Sequence, residues 1–191
     1  NTTTQFNQLI HERHGTPMEP YPLKKVEIPS ADLGNRGLLF AGIGWYTRLE
    51  FPYLNNIMEQ GEYVHIEKAG LKIYPEYGTY SDFNALPDSI FLYIADENNV
   101  VTDAVKDYLG KQVQGGKLVK DDLFLGNTYY YFDVTQFMKE ELGASGKYKH
   151  NLQLVFNSDD YTKTLKNLTF SAPNGQNPII LQLNYKIYES Y

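Results

Sequence analysis

The chain has 191 residues and no cysteine. Disulfides, thiol nucleophiles, thiolate zinc sites and a lipid-acceptor cysteine are therefore excluded from this stretch. Basic residues are also few, with 17 Lys and Arg against 23 Asp and Glu and a net charge of −6. That balance argues against a nucleic-acid partner, because phosphate binding needs clustered Lys and Arg. No apolar run approaches the ~20 residues of a membrane-spanning helix.

Aromatic residues, in contrast, are abundant. The chain holds 17 Tyr and 10 Phe but a single Trp, and aromatics make up 15% of its residues. Tyrosine combines a preference for strands with a polar tip, so this bias indicates a β protein. Hydrophobic residues at 42% and charged residues at 21% are typical of a folded domain and exclude a disordered chain or a coiled coil.

The chain divides into an N-terminal arm and a main domain. Residues 1–37 include Pro17, Pro20, Pro22 and Pro29, and proline cannot donate a backbone hydrogen bond. We therefore predict an extended arm that forms an edge strand at most, followed by a β-sandwich domain over residues 38–191. Because the chain begins with an asparagine rather than methionine, we expect it to be a processed or trimmed fragment.

Alternation of apolar and polar residues predicts about nine short strands. Within residues 63–74 the apolar parity slips near Glu67 and Lys68, which predicts a bulge. Trp45 shares the parity of its apolar neighbours and is predicted to be core. The predicted strands cover residues 39–51, 63–74, 90–95, 117–121, 128–134, 151–157, 165–171 and 179–188, besides the possible edge strand in the arm.

Helical signals are short. Residues 53–60 predict one helical turn that Gly61 ends. Residues 102–109 are an alternative helix candidate, because Thr102 suits its cap. Asp133 or Thr135 is expected to cap a helix over residues 136–142. Many short strands with one or two short helices predict an all-β, two-sheet antiparallel sandwich.

The best candidate for ligand binding is the loop of residues 74–84. It carries four aromatic residues at a spacing of three beside polar partners: Tyr74, Tyr77, Tyr80 and Phe83. Exposed rings stack on the apolar faces of sugars, while neighbouring Asp and Asn bind hydroxyls. The alternative is that these rings fold back over one end of the sandwich, since large rings are usually buried.

Metal binding has two candidates. Asp96 and Asn98 supply oxygen ligands after a central strand and are the calcium candidates, although Asp and Asn are equally common in ordinary turns. His11 and His14 have i,i+3 spacing, one residue short of the i,i+4 spacing that the zincin helix requires, and no third ligand is evident. We expect no other cofactor.

Catalytic patterns are missing from the sequence. Neighbouring acidic pairs such as Asp159 and Asp160 cannot act together across a glycosidic bond, because adjacent strand residues point to opposite faces. Neither a nucleophile elbow nor a phosphate-binding glycine loop is present. The sequence therefore predicts a protein that is not an enzyme. A glycan-active enzyme would require distant carboxylates to converge in one cleft.

Five segments, taken in order, resemble an uncharacterised family of Bacteroidetes surface lipoproteins, a domain family of unknown function. They are residues 42–54 (GIGWYTRLEFPYL), 69–73 (AGLKI), 86–90 (LPDSI), 128–135 (TYYYFDVT) and 178–188. A looser similarity extends to jelly-roll carbohydrate-binding modules, which share the A-x-L-x-I strand, the D-V-T segment and a final strand opened by proline.

The resemblance implies a jelly-roll-like sandwich in a secreted or outer-membrane-anchored protein, with the lipidated N-terminus outside this chain. It transfers no functional residue, because the lipoprotein family has no established activity. Together with the aromatic loop, it favours a non-catalytic cell-surface binding module with a glycan as ligand. The alternative is a structural component of a surface protein complex, in which the arm or an edge strand pairs with a partner chain.

Overall fold

The computed structural model describes residues 12–22, 27–61, 63–107, 109–121, 123, 127–145, 150–171 and 178–188. Ten strands and three short helices lie in these ranges, with one 3₁₀ turn before them at Ser30–Leu33. In chain order they are β1 (Arg36–Phe40), β2 (Thr47–Leu49), α1 (Asn55–Met58), β3 (Tyr63–Ile73), β4 (Ser89–Ala95), β5 (Val101–Ala104), β6 (Gly115–Val119), β7 (Tyr129–Asp133), α2 (Thr135–Ser145), β8 (Asn151–Phe156), α3 (Ser158–Lys163), β9 (Asn167–Ser171) and β10 (Ile180–Tyr188).

The strands form two antiparallel sheets. Eight of them build a strongly curled sheet in the order β10–β3–β7–β6–β4–β8–β2, with β5 paired to β4. The other two, β1 and β9, form a small separate sheet. This arrangement confirms the predicted all-β sandwich.

The core lies between the inner face of the large sheet, the small sheet and α2. Strand β7 shows how the sequence divides the two faces, because successive strand residues point in opposite directions. Tyr130 and Phe132 are fully buried on the inner face, whereas Tyr129 and Tyr131 are half-buried on the outer face. The core also receives Leu39 from β1, Leu168 and Phe170 from β9, and Phe137, Met138 and Leu142 from α2.

The predicted bulge in β3 is confirmed. Val64 and Ile66 are buried on one side of it, and Ala69 and Leu71 are buried on the other. The register between β3 and β10 shifts at the same point, so that Glu67 is the extra residue. One inserted residue therefore keeps both halves of the long strand facing the core.

The single strand predicted over residues 39–51 is wrong. The chain forms β1 and β2, which belong to different sheets, and turns between them at Gly42 and Gly44. Both glycines have positive φ angles of 78° and 80°, a conformation that ends a strand and that glycine adopts readily. The break also invalidates the parity argument for Trp45, which is half-buried rather than core.

The helix predicted over residues 102–109 is also wrong. Its first half forms β5, which pairs with β4 along Tyr93 to Ala95. The Thr102 hydroxyl donates to the Ile94 carbonyl rather than capping a helix. Strand β6 pairs only with Ser89 to Phe91 of β4, so the remainder of that side of β4 is open to β5. Pairing within the sheet overrides weak local helix propensity here.

The junction between β7 and α2 is held by three side chains. The Asp133 carboxylate accepts a hydrogen bond from the Thr135 backbone N–H at 3.0 Å, which satisfies one free donor of the first helical turn. The Thr135 hydroxyl accepts from the Ala69 N–H at 2.9 Å and donates to the Ala69 carbonyl at 3.3 Å. The Gln114 amide bonds both backbone groups of Asp133, at 2.6 and 2.7 Å. Of the two cap candidates, Asp133 bonds the N–H of the first helical residue, whereas Thr135 is itself the first residue of α2 and bonds Ala69.

The last part of the N-terminal arm contacts the large sheet. The Glu27 carboxylate forms an ion pair with Arg48 of β2 at 2.8 Å and also bonds the Asn99 amide. Residues 23–26, which include most of the possible edge strand, lie outside the described residues. Among the described helices, none has the length and apolar character needed to cross a membrane.

Candidate functional site

The four aromatic residues of the predicted binding loop have different environments. Tyr77 is 65% exposed and Phe83 is fully exposed, whereas Tyr74 and Tyr80 are half-buried. The ring of Tyr74 packs against Tyr129 of β7, with 5.5 Å between the ring centroids. The loop therefore divides its rings between the outer face of the large sheet and solvent, and its role in ligand binding stays a prediction.

The loop is anchored to the small sheet. Glu76 donates its backbone N–H to the Thr169 carbonyl at 2.8 Å, and its carboxylate receives two hydrogen bonds from Arg36, at 2.7 and 2.8 Å. Farther along, the Asn84 amide donates to the Asn167 side chain at 3.2 Å. These contacts tie β1, β9 and the loop into one unit at this end of the sandwich.

Just beyond the loop, the chain is held by the buried hydroxyl of Tyr130. That hydroxyl donates to the Pro87 carbonyl at 2.6 Å. Burial raises the pKa of Tyr130 well above its ordinary value of 10.0, and the nearby carboxylates of Asp88 and Asp160 raise it further. The folded protein therefore keeps this phenol neutral.

Tyr130→Phe is expected to lower the free energy of unfolding by about 1 kcal/mol at pH 7, because the Pro87 carbonyl loses its donor. Wild-type stability should fall as the pH rises above 10, where only the unfolded chain releases the phenol proton, by up to ~1.4 kcal/mol per pH unit. The difference in free energy of unfolding between wild type and Tyr130→Phe should consequently become smaller as the pH rises above 10. Urea unfolding at pH 8, 10 and 11 measures this difference, and Tyr77→Phe is the control at an exposed tyrosine. A difference that does not change with pH would contradict the conclusion that the Tyr130 phenol stays neutral in the folded protein.

The calcium candidates lie in the hairpin turn between β4 and β5. One carboxylate oxygen of Asp96 accepts the backbone N–H groups of Asn98 and Val100, both at 2.9 Å. Asn99, which follows, has a positive φ of 62°. These are the contacts of an ordinary Asp-initiated turn. Within the described ranges no three His, Asp or Glu side chains gather as a metal site would require.

The pair of His11 and His14, for which the sequence shows no third ligand, lies partly outside the described residues, because His11 is not among them. His14 is exposed, and its ring contacts the Glu19 carboxylate at 2.8 Å. The structure therefore gives His14 a local carboxylate partner within the N-terminal arm.

A different site lies on the outer face of the large sheet. Four adjacent strands, β10, β3, β7 and β6, line an open groove of about 570 Å³. We call it the outer-face groove. Its lining residues are Lys68, Gly70, Lys72, Lys117, Val119, Tyr129, Tyr131, Gln182 and Asn184.

The floor of the outer-face groove is shaped by one glycine and two tyrosines. A Cβ atom at Gly70 would lie 3.0 Å from the ring and the hydroxyl of Tyr131, so this ring lies over the glycine. Tyr129, two residues earlier on β7, holds the Lys72 ammonium 5.0 Å from its ring centroid. Because Tyr129 also contacts Tyr74, the groove adjoins the first residue of the aromatic loop.

The groove was missed from the sequence, although part of its signal is present there. Alternation in β7 places Tyr130 and Phe132 on one face, which implies that Tyr129 and Tyr131 point to the other. The same parity puts Lys72 on the outer face of β3. The order of the strands in the sheet cannot be read from the sequence, and it is this order that brings the groove residues together.

Comparisons of this chain with protein-family models, with curated proteins and with solved structures found no match. The residues of the groove and the loop therefore carry the functional argument.

Proposed function

We propose that this protein is a non-catalytic binding module that holds a glycan in the outer-face groove. The observation that carries the proposal is the combination of two half-buried tyrosine rings with two exposed side-chain amides on one open sheet face. Tyr129 and Tyr131 supply the rings, and Gln182 and Asn184 of β10 supply the amides. A placement at the cell surface is supported by the resemblance to surface lipoproteins.

The chemistry of the groove suits a sugar chain. A ring that is partly packed on its own sheet keeps its orientation, so a sugar loses little extra freedom when it stacks there. The Tyr131 ring is held over Gly70 in this way. Amide groups both donate and accept hydrogen bonds, as sugar hydroxyls do. The groove is open rather than enclosed, which suits a segment of a longer chain.

Hydrolysis of the bound sugar is not part of the proposal. Cleaving a glycosidic bond ordinarily takes two carboxyl groups placed ~5–9.5 Å apart across the scissile bond. None of the nine residues that line the groove carries a carboxylate. Binding without reaction is therefore the function we assign to this surface.

Tyr131→Ala is expected to weaken binding of the best glycan from an array screen by about tenfold, which corresponds to ~1.4 kcal/mol. The reason is the loss of the ring over Gly70, which is the central contact surface of the groove. Isothermal titration of wild type and variant gives the two dissociation constants. The array should be run with calcium and with a chelator, since loss of binding in chelator would indicate a metal ion at Asp96.

Tyr77→Ala is the matched control, because Tyr77 is a more exposed tyrosine in the aromatic loop and does not line the groove. It should bind as wild type does. If Tyr77→Ala loses binding while Tyr131→Ala keeps it, the ligand lies on the loop and the groove is the wrong site. Both variants should keep the wild-type circular dichroism spectrum, so that a loss of binding is not a loss of fold.

A second function, assembly with another surface protein, is favoured by the position of β10. This nine-residue strand ends the large sheet and pairs with β3 alone among the described strands. Ile187 and Tyr188 at its end are exposed. An unpaired edge of this kind accepts an extended segment of a partner chain. A folded protein that binds no glycan on the array would favour this alternative.

A further inference from the structure

The outer-face groove is lined by positively charged side chains, whereas the chain as a whole is negatively charged. Three of its nine lining residues are lysines, Lys68 and Lys72 on β3 and Lys117 on β6, and none is acidic. The whole chain has a net charge of −6. A local excess of one sign, opposite to that of the molecule, raises the local concentration of ligands of the other sign.

Four of the described lysines outside the groove, Lys106, Lys163, Lys166 and Lys186, are paired with carboxylates. Lys106 lies 2.7 Å from Asp103, and Lys166 lies 2.8 Å from Asp160. Even Lys186, on the same strand as the groove amides, is paired with Glu67. The three groove lysines form no ion pair with any described residue. The Lys72 ammonium instead lies over the aromatic ring of Tyr129.

Strand register places two of these lysines on either side of the main aromatic ring. Tyr131 is directly opposite Lys72 of β3 and directly opposite Lys117 of β6. Neighbouring strands are ~4.8 Å apart, so the two lysines begin ~10 Å from each other with the ring between them. A sugar stacked on Tyr131 would therefore have an ammonium group within reach on each side.

We infer that the ligand of the outer-face groove is an acidic oligosaccharide, with its sugar ring on Tyr131 and its carboxylate or sulfate groups between Lys72 and Lys117. This inference rests on the proposed glycan-binding function and adds the charge of the ligand to it. Lysine ammonium groups act as compact point charges on flexible stems, so they accept either kind of anion. Like charges that repel one another in the free protein are neutralised when the anion binds.

The test compares ligands that differ in charge and in little else. An oligogalacturonate and its methyl ester share one backbone, and dextran sulfate and dextran form the sulfate pair. We expect at least one acidic member to bind ten or more times more tightly than its neutral counterpart in low salt. Its binding should weaken as sodium chloride is raised, because exposed charges are screened.

Substitutions locate the charge. Lys72→Gln and Lys117→Gln should each weaken binding of the acidic ligand by about three- to tenfold and reduce its dependence on salt. Lys139 is an exposed lysine on α2 that does not line the groove. Lys139→Gln removes the same charge and should change neither the affinity for the acidic ligand nor its dependence on salt. Tyr131→Ala should weaken binding of the acidic ligand too, which a general attraction of polyanions to lysine would not require.

The outcomes separate the two proposals. If neutral and acidic members bind alike and Tyr131→Ala lowers both, the glycan-binding function stands and the inference about charge is overturned. If no member of either pair binds, the inference is overturned together with the proposed site. A single-stranded oligonucleotide serves as the competing polyanion. Equal affinity for that oligonucleotide, with the same lysine dependence, would overturn the assignment of a sugar.

Discussion

Gly116→Ala is expected to destabilise the protein by about 1–3 kcal/mol or more, which is the cost of overpacking a tight core. Gly116 lies on the inner face of β6 and is buried. A Cβ atom there would lie 2.1 Å from Cζ of Phe132 and 2.5 Å from its Cε2, far inside the normal contact distance. Because Phe132 is fully buried, its ring has no free space to enter. Urea or thermal unfolding of the variant measures the effect.

The neighbouring residue provides the control. At Gly115, on the other face of β6, the nearest atoms to an added Cβ are in Phe91 at 3.5 Å, an ordinary contact. Gly115→Ala should therefore change the free energy of unfolding by no more than about 0.5 kcal/mol. Combining Gly116→Ala with Phe132→Leu should cost less than the sum of the two single changes, since a smaller side chain relieves the clash. Equal stability of the two alanine variants would contradict this account.

The strands were predictable where the pattern that makes them is local. The inward positions of Tyr130 and Phe132 follow from alternation alone, and the bulge at Glu67 follows from a slipped parity. The predictions were wrong where something other than local alternation determined the conformation of the chain. Gly42 interrupts an alternating run through its backbone conformation, and Thr102 lies in a strand that pairs with β4 instead of in a helix.

The candidate site was less predictable for a different reason. The aromatic side chains of residues 74–84 are close to one another in the sequence, so the sequence alone indicates them as a candidate. The outer-face groove instead takes two or three residues from each of four strands, which are spread over residues 63–188 of the chain. Alternation in the sequence predicts which face of β3 Lys72 occupies. That β3 lies beside β7, and β7 beside β6, is known only from the folded structure.

The same strand supports both the core and the groove. Phe132 on the inner face of β7 lies over Gly116 of β6, while Tyr131 on the outer face lies over Gly70 of β3. Each flanking strand thus provides a glycine beneath one ring of β7. The contact is tighter on the inner side, 2.1 Å against 3.0 Å for an added Cβ. A groove substitution at Tyr131 should consequently disturb the fold less than any change at Phe132, which makes the binding experiments interpretable.

Thr135→Val is expected to lower the free energy of unfolding by about 1–3 kcal/mol, although valine has nearly the shape of threonine. The hydroxyl of Thr135 accepts the Ala69 N–H, and Ala69 is fully buried, so the variant leaves this donor without a partner. The strand pairing of β3 with β7 ends at Gly70 and Asp133. Beyond it, the Val134 N–H donates to the Ala69 carbonyl and the Thr135 hydroxyl accepts the Ala69 N–H as the chain turns into α2. Thr135→Ser keeps the hydroxyl and should lower the free energy of unfolding by less than about 1 kcal/mol. Equal stability of the valine and serine variants would show that the hydrogen bonds of the hydroxyl do not stabilise the protein. Hydrogen exchange gives a second measurement, because the Ala69 amide should lose protection in the valine variant and keep it in the serine variant.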